Sequence, residues 1–228
     1  MRSLIVRFAD CEGPGILAGI LKEKKYTVTY HDAFRSGLEL IPSAHQMFDL
    51  VVFMGGPASI ADPSQNSFFL PYFRLAENVL KIQNSRMIGI CLGAQLLAKV
   101  LGAEVKKGDR GPEVGFGDAE ILHHDPVFQG IPGKAIPVFH LHEDVFSIPS
   151  GARHLLSSPQ YPSQMFSFEN RVFAFQCHIE ITSEILNVWK ARFPEVHNSL
   201  ISETGISEKT ESVRQNGEKI FRNILSAY

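Results

Sequence analysis

Short, strongly apolar runs alternate with amphipathic segments through the first part of the chain. Apolar residues at helical spacing predict helices over 13–24, 67–83 and 92–102, and the β-branched runs predict strands over 3–8, 26–34, 48–54 and 86–91. Buried strands that alternate with helices favour a parallel sheet covered by helices on both faces.

Beyond Gly102 the segments become shorter and are separated by proline and glycine, which is typical of antiparallel strands and turns. Strands are predicted over 113–122, 135–146, 154–159, 164–169 and 171–180. Two terminal helices with a polar face are expected within 182–228. The pattern therefore predicts an α/β fold with an open, mostly parallel central sheet, helices on both faces and a smaller antiparallel sheet.

Composition is consistent with one domain over residues 1–228, because 44% of the residues are hydrophobic and no linker or repeat interrupts them. The formal net charge of −2 is spread without long runs, so neither nucleic acid nor a membrane surface is an expected partner. A small-molecule substrate or another protein fits better.

The amino-terminal apolar run ends at Arg7, too early for a signal peptide or a membrane span. Three cysteines cannot all pair, and without a secretory signal their thiols are expected to stay reduced. These features together predict a cytoplasmic protein.

One of these cysteines, Cys91, lies where a predicted strand turns directly into a predicted helix. Such a turn strains the backbone and requires small neighbours, and Gly89 and Gly93 stand two positions to either side. The turn exposes the sulfur over the helix N-terminus, which favours a thiolate. Cys91 is therefore a candidate nucleophile, although an isolated cysteine at a strand end is more often a buried apolar residue.

A candidate base for this nucleophile is His178, near the end of the last predicted strand, with Glu180 two residues further on. Residues i and i+2 of an extended segment project to the same side, so Glu180 can hold the imidazole in one tautomer. This pattern predicts a Cys–His–Glu triad.

A third candidate element, Gly55-Gly56-Pro57, follows the third strand at the carboxyl edge of the sheet, where ligands bind in open α/β folds. A backbone N–H of this turn and that of Leu92 are expected to form an oxyanion hole.

The chain resembles the class I glutamine amidotransferases, particularly the amidotransferase domain of GMP synthase and its free-standing relatives. The resemblance runs over about residues 48–190, through "MGGPASI", "GICLGAQLLAKVLGAEV", "HEDVFSIP", "LLSSP" and "FAFQCHIEIT". It implies that Cys91 attacks the side-chain amide of glutamine, with His178 relaying protons. It further implies that Glu180 orients His178, that Gly56 supplies an oxyanion donor together with Leu92, and that Gln95 helps to seat the substrate.

No cofactor and no metal are predicted. His140, His142, Glu143 and Asp144 are metal-binding residue types, but their spacing does not define a closed tetrahedral set. The glycines of "GPEVGFG" do not open a helix after a strand, and no Walker-type loop occurs in the sequence.

Three functions remain open at this point. The first is glutamine hydrolysis through a cysteine thioester. The 48 residues after Glu180 are too few for an ATP-dependent synthetase domain, so any acceptor of the ammonia is expected to be a separate synthetase. The second is a γ-glutamyl peptidase or hydrolase with the same triad. The third is a catalytically idle regulatory or binding module, which would have no physical need for a strained cysteine turn.

Overall fold

A computed structural model describes residues 1–35 and 46–226 of the chain. Its strands are β1 (Arg2–Arg7), β2 (Thr27–Asp32), β3 (Leu50–Phe53), β4 (Arg86–Ile90), β5 (Val105–Lys107), β6 (Glu113–Ile121), β7 (Ala135–His142), β8 (Asp144–Phe146), β9 (Arg153–Ser157), β10 (Met165–Phe168) and β11 (Val172–Phe175). Its helices are α1 (Ile16–Glu23), α2 (Asn66–Leu80), α3 (Leu92–Val100), α4 (Ser183–Arg192), α5 (Pro194–Ile201) and α6 (Ile206–Ser226).

Nine of these strands form one sheet, in the order β2-β1-β3-β4-β11-β10-β9-β6-β7. The five strands from β2 to β11 are mutually parallel, and the remaining four continue the sheet in antiparallel pairs. A separate two-stranded antiparallel sheet pairs β5 with β8. The predicted α/β architecture is confirmed, and most of the antiparallel strands extend the central sheet.

Helices cover both faces of the parallel part. On one face α1 and α6 contribute buried residues such as Leu17 and Phe221, and on the other α2 and α3 contribute residues such as Phe69 and Leu96. All four residues of β3 are buried, as a strand covered on both sides requires.

Several element boundaries differ from the predicted ones. The segment 135–146 is divided at Glu143 into β7 and β8, which belong to different sheets. The last strand ends at Phe175, and His178 follows it in an isolated bridge to Phe139. Helix α5 was not predicted; Pro194 at its first position ends α4 and starts a new helix, because proline is tolerated there.

The carboxyl-terminal helices pack beside the segment that carries His178. Trp189 on α4 and Val213 on α6 belong to the same buried cluster as Phe139. Gly217 on α6 allows close contact, since a Cβ there would lie 2.0 Å from the Ile179 carbonyl oxygen. The end of the predicted helix 207–228, residues 227 and 228, lies outside the described residues.

Within residues 1–35 and 46–226, no helix combines the length and the apolar character needed to cross a membrane.

Candidate active site

Cys91 occupies the turn between β4 and α3, as predicted, with φ 51° and ψ −109°. A positive φ is uncommon for a residue with a side chain, so the turn is a strained one. The Cys91 N–H donates to the Phe175 carbonyl at 2.7 Å, which ties the turn to the neighbouring strand β11.

The two glycines beside Cys91 are sterically required. A Cβ on Gly93 would lie 2.0 Å from the Phe53 carbonyl oxygen, and one on Gly89 would lie 2.5 Å from the Gly93 carbonyl oxygen. Neither neighbour is a flexible side-chain end. The start of α3 can therefore pack directly on β3 and β4 only without side chains at these positions.

The sulfur lies at the N-terminal end of α3, where the Ala94 and Gln95 N–H groups donate to the Cys91 carbonyl at 2.9 and 3.1 Å. Leu92 is the first residue of the helix, so its N–H has no acceptor within the helix. This end of a helix favours negative charge on the sulfur or on a bound oxyanion. Cys91 is only 7% exposed, and its thiol donates to the Leu141 carbonyl at 3.5 Å.

His178 and Glu180 form a buried pair, with 2.7 Å between His178 Nδ1 and Glu180 Oε1. The backbone of His178 exchanges hydrogen bonds with Phe139 at 2.7 and 3.1 Å. Its ring packs edge-on against Trp189, with 4.7 Å between the ring centroids. The imidazole is thus held by β7, α4 and a carboxylate, which leaves it one orientation.

The remaining ring nitrogen, Nε2, is buried and has no hydrogen-bond partner among the described residues. Burial by itself lowers the pKa of His178, but the Glu180 carboxylate and the Cys91 side chain outweigh it and hold the pKa well above its ordinary value. A protonated His178 beside the sulfur is the arrangement that a thiolate–imidazolium pair needs.

A cleft of about 410 Å³ opens over the sulfur and is within the range of small-molecule sites. Its lining includes four of the predicted site residues, namely Cys91, Gly56, Leu92 and Gln95. A Cβ on Gly56 would lie 2.7 Å from Phe8 Cβ and 3.2 Å from Leu92 Cδ2, so this turn also packs closely only as glycine.

Gln95 is held by its amide nitrogen, which donates to the Asp144 carbonyl at 3.1 Å and to Gln176 Oε1 at 3.2 Å. Both amide hydrogens are engaged within the protein, which leaves Oε1 as the group available to a ligand. Gln176, which the sequence did not single out, also reaches the sulfur, with Nε2 3.8 Å from Cys91 Sγ.

A buried polar network supports the wall that contains Asp144. His142 lies between acceptors, with Nδ1 3.2 Å from the Asp144 carbonyl oxygen and Nε2 3.0 Å from Glu113 Oε2. Ser158 and Gln164 donate to the same Glu113 carboxylate at 2.6 and 2.8 Å. The sequence carries no local signal for Glu113, because His142, Ser158 and Gln164 lie 29, 45 and 51 residues away from it in the chain.

Glu113, His140 and His142 offer ligand atoms within 4.8 Å of one another, a set that differs from the group considered in the sequence. Burial lowers the pKa of His140 to about 4, against the opposing effect of the Glu113 carboxylate. The absence of a metal stays a prediction.

Glu12 is a further acidic residue of the cleft that the sequence analysis missed. It is buried, at 4% exposure, and lies close to His178 and Glu180. The available signal was its position just after β1, at the carboxyl edge of the parallel sheet, where ligands bind in such folds.

An open α/β sheet with a cysteine on a strained strand-to-helix turn, together with a buried histidine–carboxylate pair, is an arrangement typical of proteins with a cysteine nucleophile. The family model of class-I glutamine amidotransferase matches residues 16–187. The chain belongs to this family.

Two relatives of the chain are named for different activities. One subunit of the glutamine-hydrolysing GMP synthase of Sulfolobus acidocaldarius is 38% identical over 147 residues, which are 63% of this chain and 74% of that protein. Gamma-glutamyl peptidase 4 of Arabidopsis thaliana is 27% identical over 157 residues, 62% of this chain and 60% of that protein. A crystal structure of a glutamine amidotransferase from Thermotoga maritima superposes with a TM-score of 0.84 at 29% identity, covering 100% of this chain and 97% of that one.

Proposed function

We propose that this protein hydrolyses the side-chain amide of glutamine to glutamate and ammonia, through a γ-glutamyl thioester on Cys91. The observation that carries the proposal is that Cys91, at the free N-terminus of α3, lines a 410 Å³ cleft, while the fully buried His178–Glu180 pair lies near enough for the Cys91 side chain to raise the pKa of His178. An idle module would have no use for the strained backbone at Cys91.

In the first half of the reaction the thiolate of Cys91 adds to the γ-carbonyl carbon, and the N–H groups of Gly56 and Leu92 stabilise the oxyanion. His178 then gives its proton to the departing nitrogen as the C–N bond breaks, which releases ammonia and leaves the thioester. Glu180 stabilises the imidazolium and keeps Nε2 directed to the sulfur.

In the second half water adds to the thioester carbonyl while His178 takes its proton. The C–S bond then breaks, the sulfur leaves as the thiolate, and the new carboxyl group of glutamate loses its proton to solvent. The cysteine–histidine pair therefore returns to its starting protonation state with one water consumed.

A second candidate is a γ-glutamyl peptidase with the same triad. The cleft also includes Phe193 and Glu195 at the start of α5, and Pro112 and Val114 around the start of β6. These residues provide a surface on which the rest of a peptide leaving group can lie. The Arabidopsis relative is named for such an activity.

Where glutamine is the substrate, we propose that the ammonia passes to a separate synthetase. The support is the name of the Sulfolobus relative, which is one subunit of a glutamine-hydrolysing synthase. Its partner would dock at the rim of the cleft, because ammonia must leave from there.

The substrate is decided by measuring ammonia and glutamate release from glutamine beside dipeptide release from glutathione, with and without cell extract to supply a partner. We expect kcat/KM to favour glutamine by at least about tenfold, because an enzyme that releases ammonia needs contacts with the glutamyl group alone and gains nothing from a peptide leaving group. A preference for the peptide would establish the second candidate. Turnover of neither substrate in any condition would refute both.

Gln95 provides a separate test of substrate binding. Replacing it with methionine keeps a side chain of similar size but removes the Oε1 acceptor, which we assign to the α-ammonium group of the substrate, together with the hydrogen bonds to Asp144 and Gln176. We expect KM for glutamine to rise roughly tenfold, the effect of losing a hydrogen bond to a charged group, with kcat less affected. Gln83→Met, at an exposed position, is the matched control and is expected to behave as the wild type. An unchanged KM in Gln95→Met would remove Gln95 from the binding site.

A further inference from the structure

Glu12 lies among the groups that would carry out the reaction, on the cleft side of the triad. A carboxylate oxygen of Glu12, a ring nitrogen of His178 and a carboxylate oxygen of Glu180 all lie within 4.8 Å of one another. All three residues are buried, and Glu12 alone of the three lines the cleft. Its Oε2 atom has no hydrogen-bond partner among the described residues.

The surroundings hold Glu12 in this place. Its carboxyl packs over Gly55, where a Cβ would lie 2.7 Å from Glu12 Oε2. The turn after it contacts the triad segment through Gly15, because the Ile16 N–H donates to the Glu180 carbonyl at 3.0 Å and a Cβ on Gly15 would lie 1.8 Å from that oxygen. Burying a glutamate in this way lowers the stability of the fold, so a role in the active site would explain why the residue is there.

We propose that Glu12 is a positioning residue of this active site, whose carboxyl charge controls how firmly His178 holds its proton. The inference rests on the proposed function, since it assigns His178 the role of proton donor to the leaving nitrogen. With Glu12 neutral, the imidazolium has one carboxylate partner, Glu180. With Glu12 ionised it has two, and it keeps its proton to higher pH.

Burial, more than the charged groups around it, places the pKa of Glu12 in the physiological range. Burial raises the pKa of Glu12 to about 7, His178 lowers it and Glu180 raises it. On the same loop the pKa of the Cys11 thiol is raised, first by burial and then by Glu12. Asp10 and Arg192, which also act on Cys11, form an ion pair with each other.

The test is the pH dependence of kcat/KM in Glu12→Gln, which keeps the shape and removes the charge. We expect the alkaline limb of the profile to move down by roughly 1 pH unit, so that the variant loses about tenfold relative to the wild type on the alkaline side and little on the acid side. Glu12→Asp, which keeps the charge, is expected to keep the position of the limb even if its rate is lower. Glu77→Gln makes the same charge change at an exposed position of α2 and is the control.

The melting temperature of Glu12→Gln distinguishes a charge effect from a purely structural role, because the two predict changes of opposite sign. The pKa of the Glu12 carboxyl is its ordinary 4.5 in the unfolded chain and about 7 in the folded protein. The unfolded chain therefore loses this proton first, and the free energy of unfolding falls as the pH rises from 4.5 to about 7. Glu12→Gln removes this loss, and its Tm is expected to exceed that of the wild type by roughly 7–14 °C above the interval, with no gain below it. A residue needed only for packing would lower Tm at every pH.

A measurement without substrate separates this inference from the proposed function. The titration of His178 is followed by NMR of its ring nitrogens, with the signals assigned through a His178→Gln variant. We expect a lower midpoint in Glu12→Gln than in the wild type, whichever amide the enzyme cleaves. An unchanged midpoint, together with a rate loss that is equal at every pH, would overturn the proposal even if glutamine is hydrolysed.

Discussion

Cys91→Ala is expected to abolish hydrolysis of glutamine and of γ-glutamyl peptides, with a loss of at least about 10⁴-fold in kcat. The reason is chemical, because without the sulfur there is no thioester, and His178 has only water to activate. The fold is expected to persist, since the turn depends on Gly89 and Gly93 and on the Cys91 backbone bond to Phe175. Ammonia release and circular dichroism of the purified variant check both statements.

The other two cysteines are the matched controls for this change. Burial raises the pKa of both the Cys11 and the Cys177 thiols, so neither is expected to react as a thiolate. Cys177 is fully buried, in agreement with the alternation that turns it away from the His178 side of the segment. We expect Cys11→Ala to keep its turnover, and one equivalent of a glutamine-mimicking electrophile to label Cys91 alone. Full activity in Cys91→Ala, or labelling of another cysteine, would contradict the triad.

Gly93→Val is expected to lower kcat/KM by at least about 10²-fold, because small displacements of reacting atoms carry costs of that size. The new Cβ would lie 2.0 Å from the Phe53 carbonyl oxygen, so the start of α3 has to move away from β3. That movement displaces the Cys91 sulfur and the Leu92 N–H together. Steady-state kinetics and the labelling rate of Cys91 measure the effect.

Gly19→Val is the control for this prediction, since Gly19 also lies inside a helix, α1, and a Cβ there meets nothing within 4 Å. Gly19→Val changes the helix propensity in the same way as Gly93→Val but introduces no steric clash. Gly93→Ala, which adds the Cβ alone, separates misplacement of the sulfur from unfolding if the valine variant does not fold. Wild-type kinetics in a folded Gly93→Val protein would show that the turn is not a nucleophile elbow.

The alternation of apolar runs and helical segments was sufficient for the architecture, because a strand buried on both faces has a local signature that its neighbours do not alter. The division of 135–146 into β7 and β8 was not accessible in this way. Which sheet a strand joins depends on its pairing partner, and β8 pairs with β5, about forty residues earlier in the chain. The short α5 differs in this respect, because Pro194 sets its start and is a local signal that is present in the sequence.

The candidate nucleophile could be identified from sequence because its requirements are local. The elbow needs small residues at fixed spacing, and Gly89 and Gly93 report it directly. The pair of His178 and Glu180 is also local, since an i, i+2 spacing in an extended segment brings the two side chains to one side, and they lie 2.7 Å apart. Their placement beside Cys91 required the family resemblance or the fold.

By itself the sequence determined the α/β layers, the strained cysteine turn and the histidine–carboxylate pair, each of which rests on spacing along a single segment. Only the tertiary structure decided that Glu12, Gln176 and Glu113 belong around the cleft and its walls, because each meets its partners through segments distant in the chain. The acidity of Glu12 is decided in the same way. A glutamate has its ordinary pKa in water, and the removal of water by the packed fold raises the pKa of this one to about 7, with His178 opposing the rise and Glu180 adding to it.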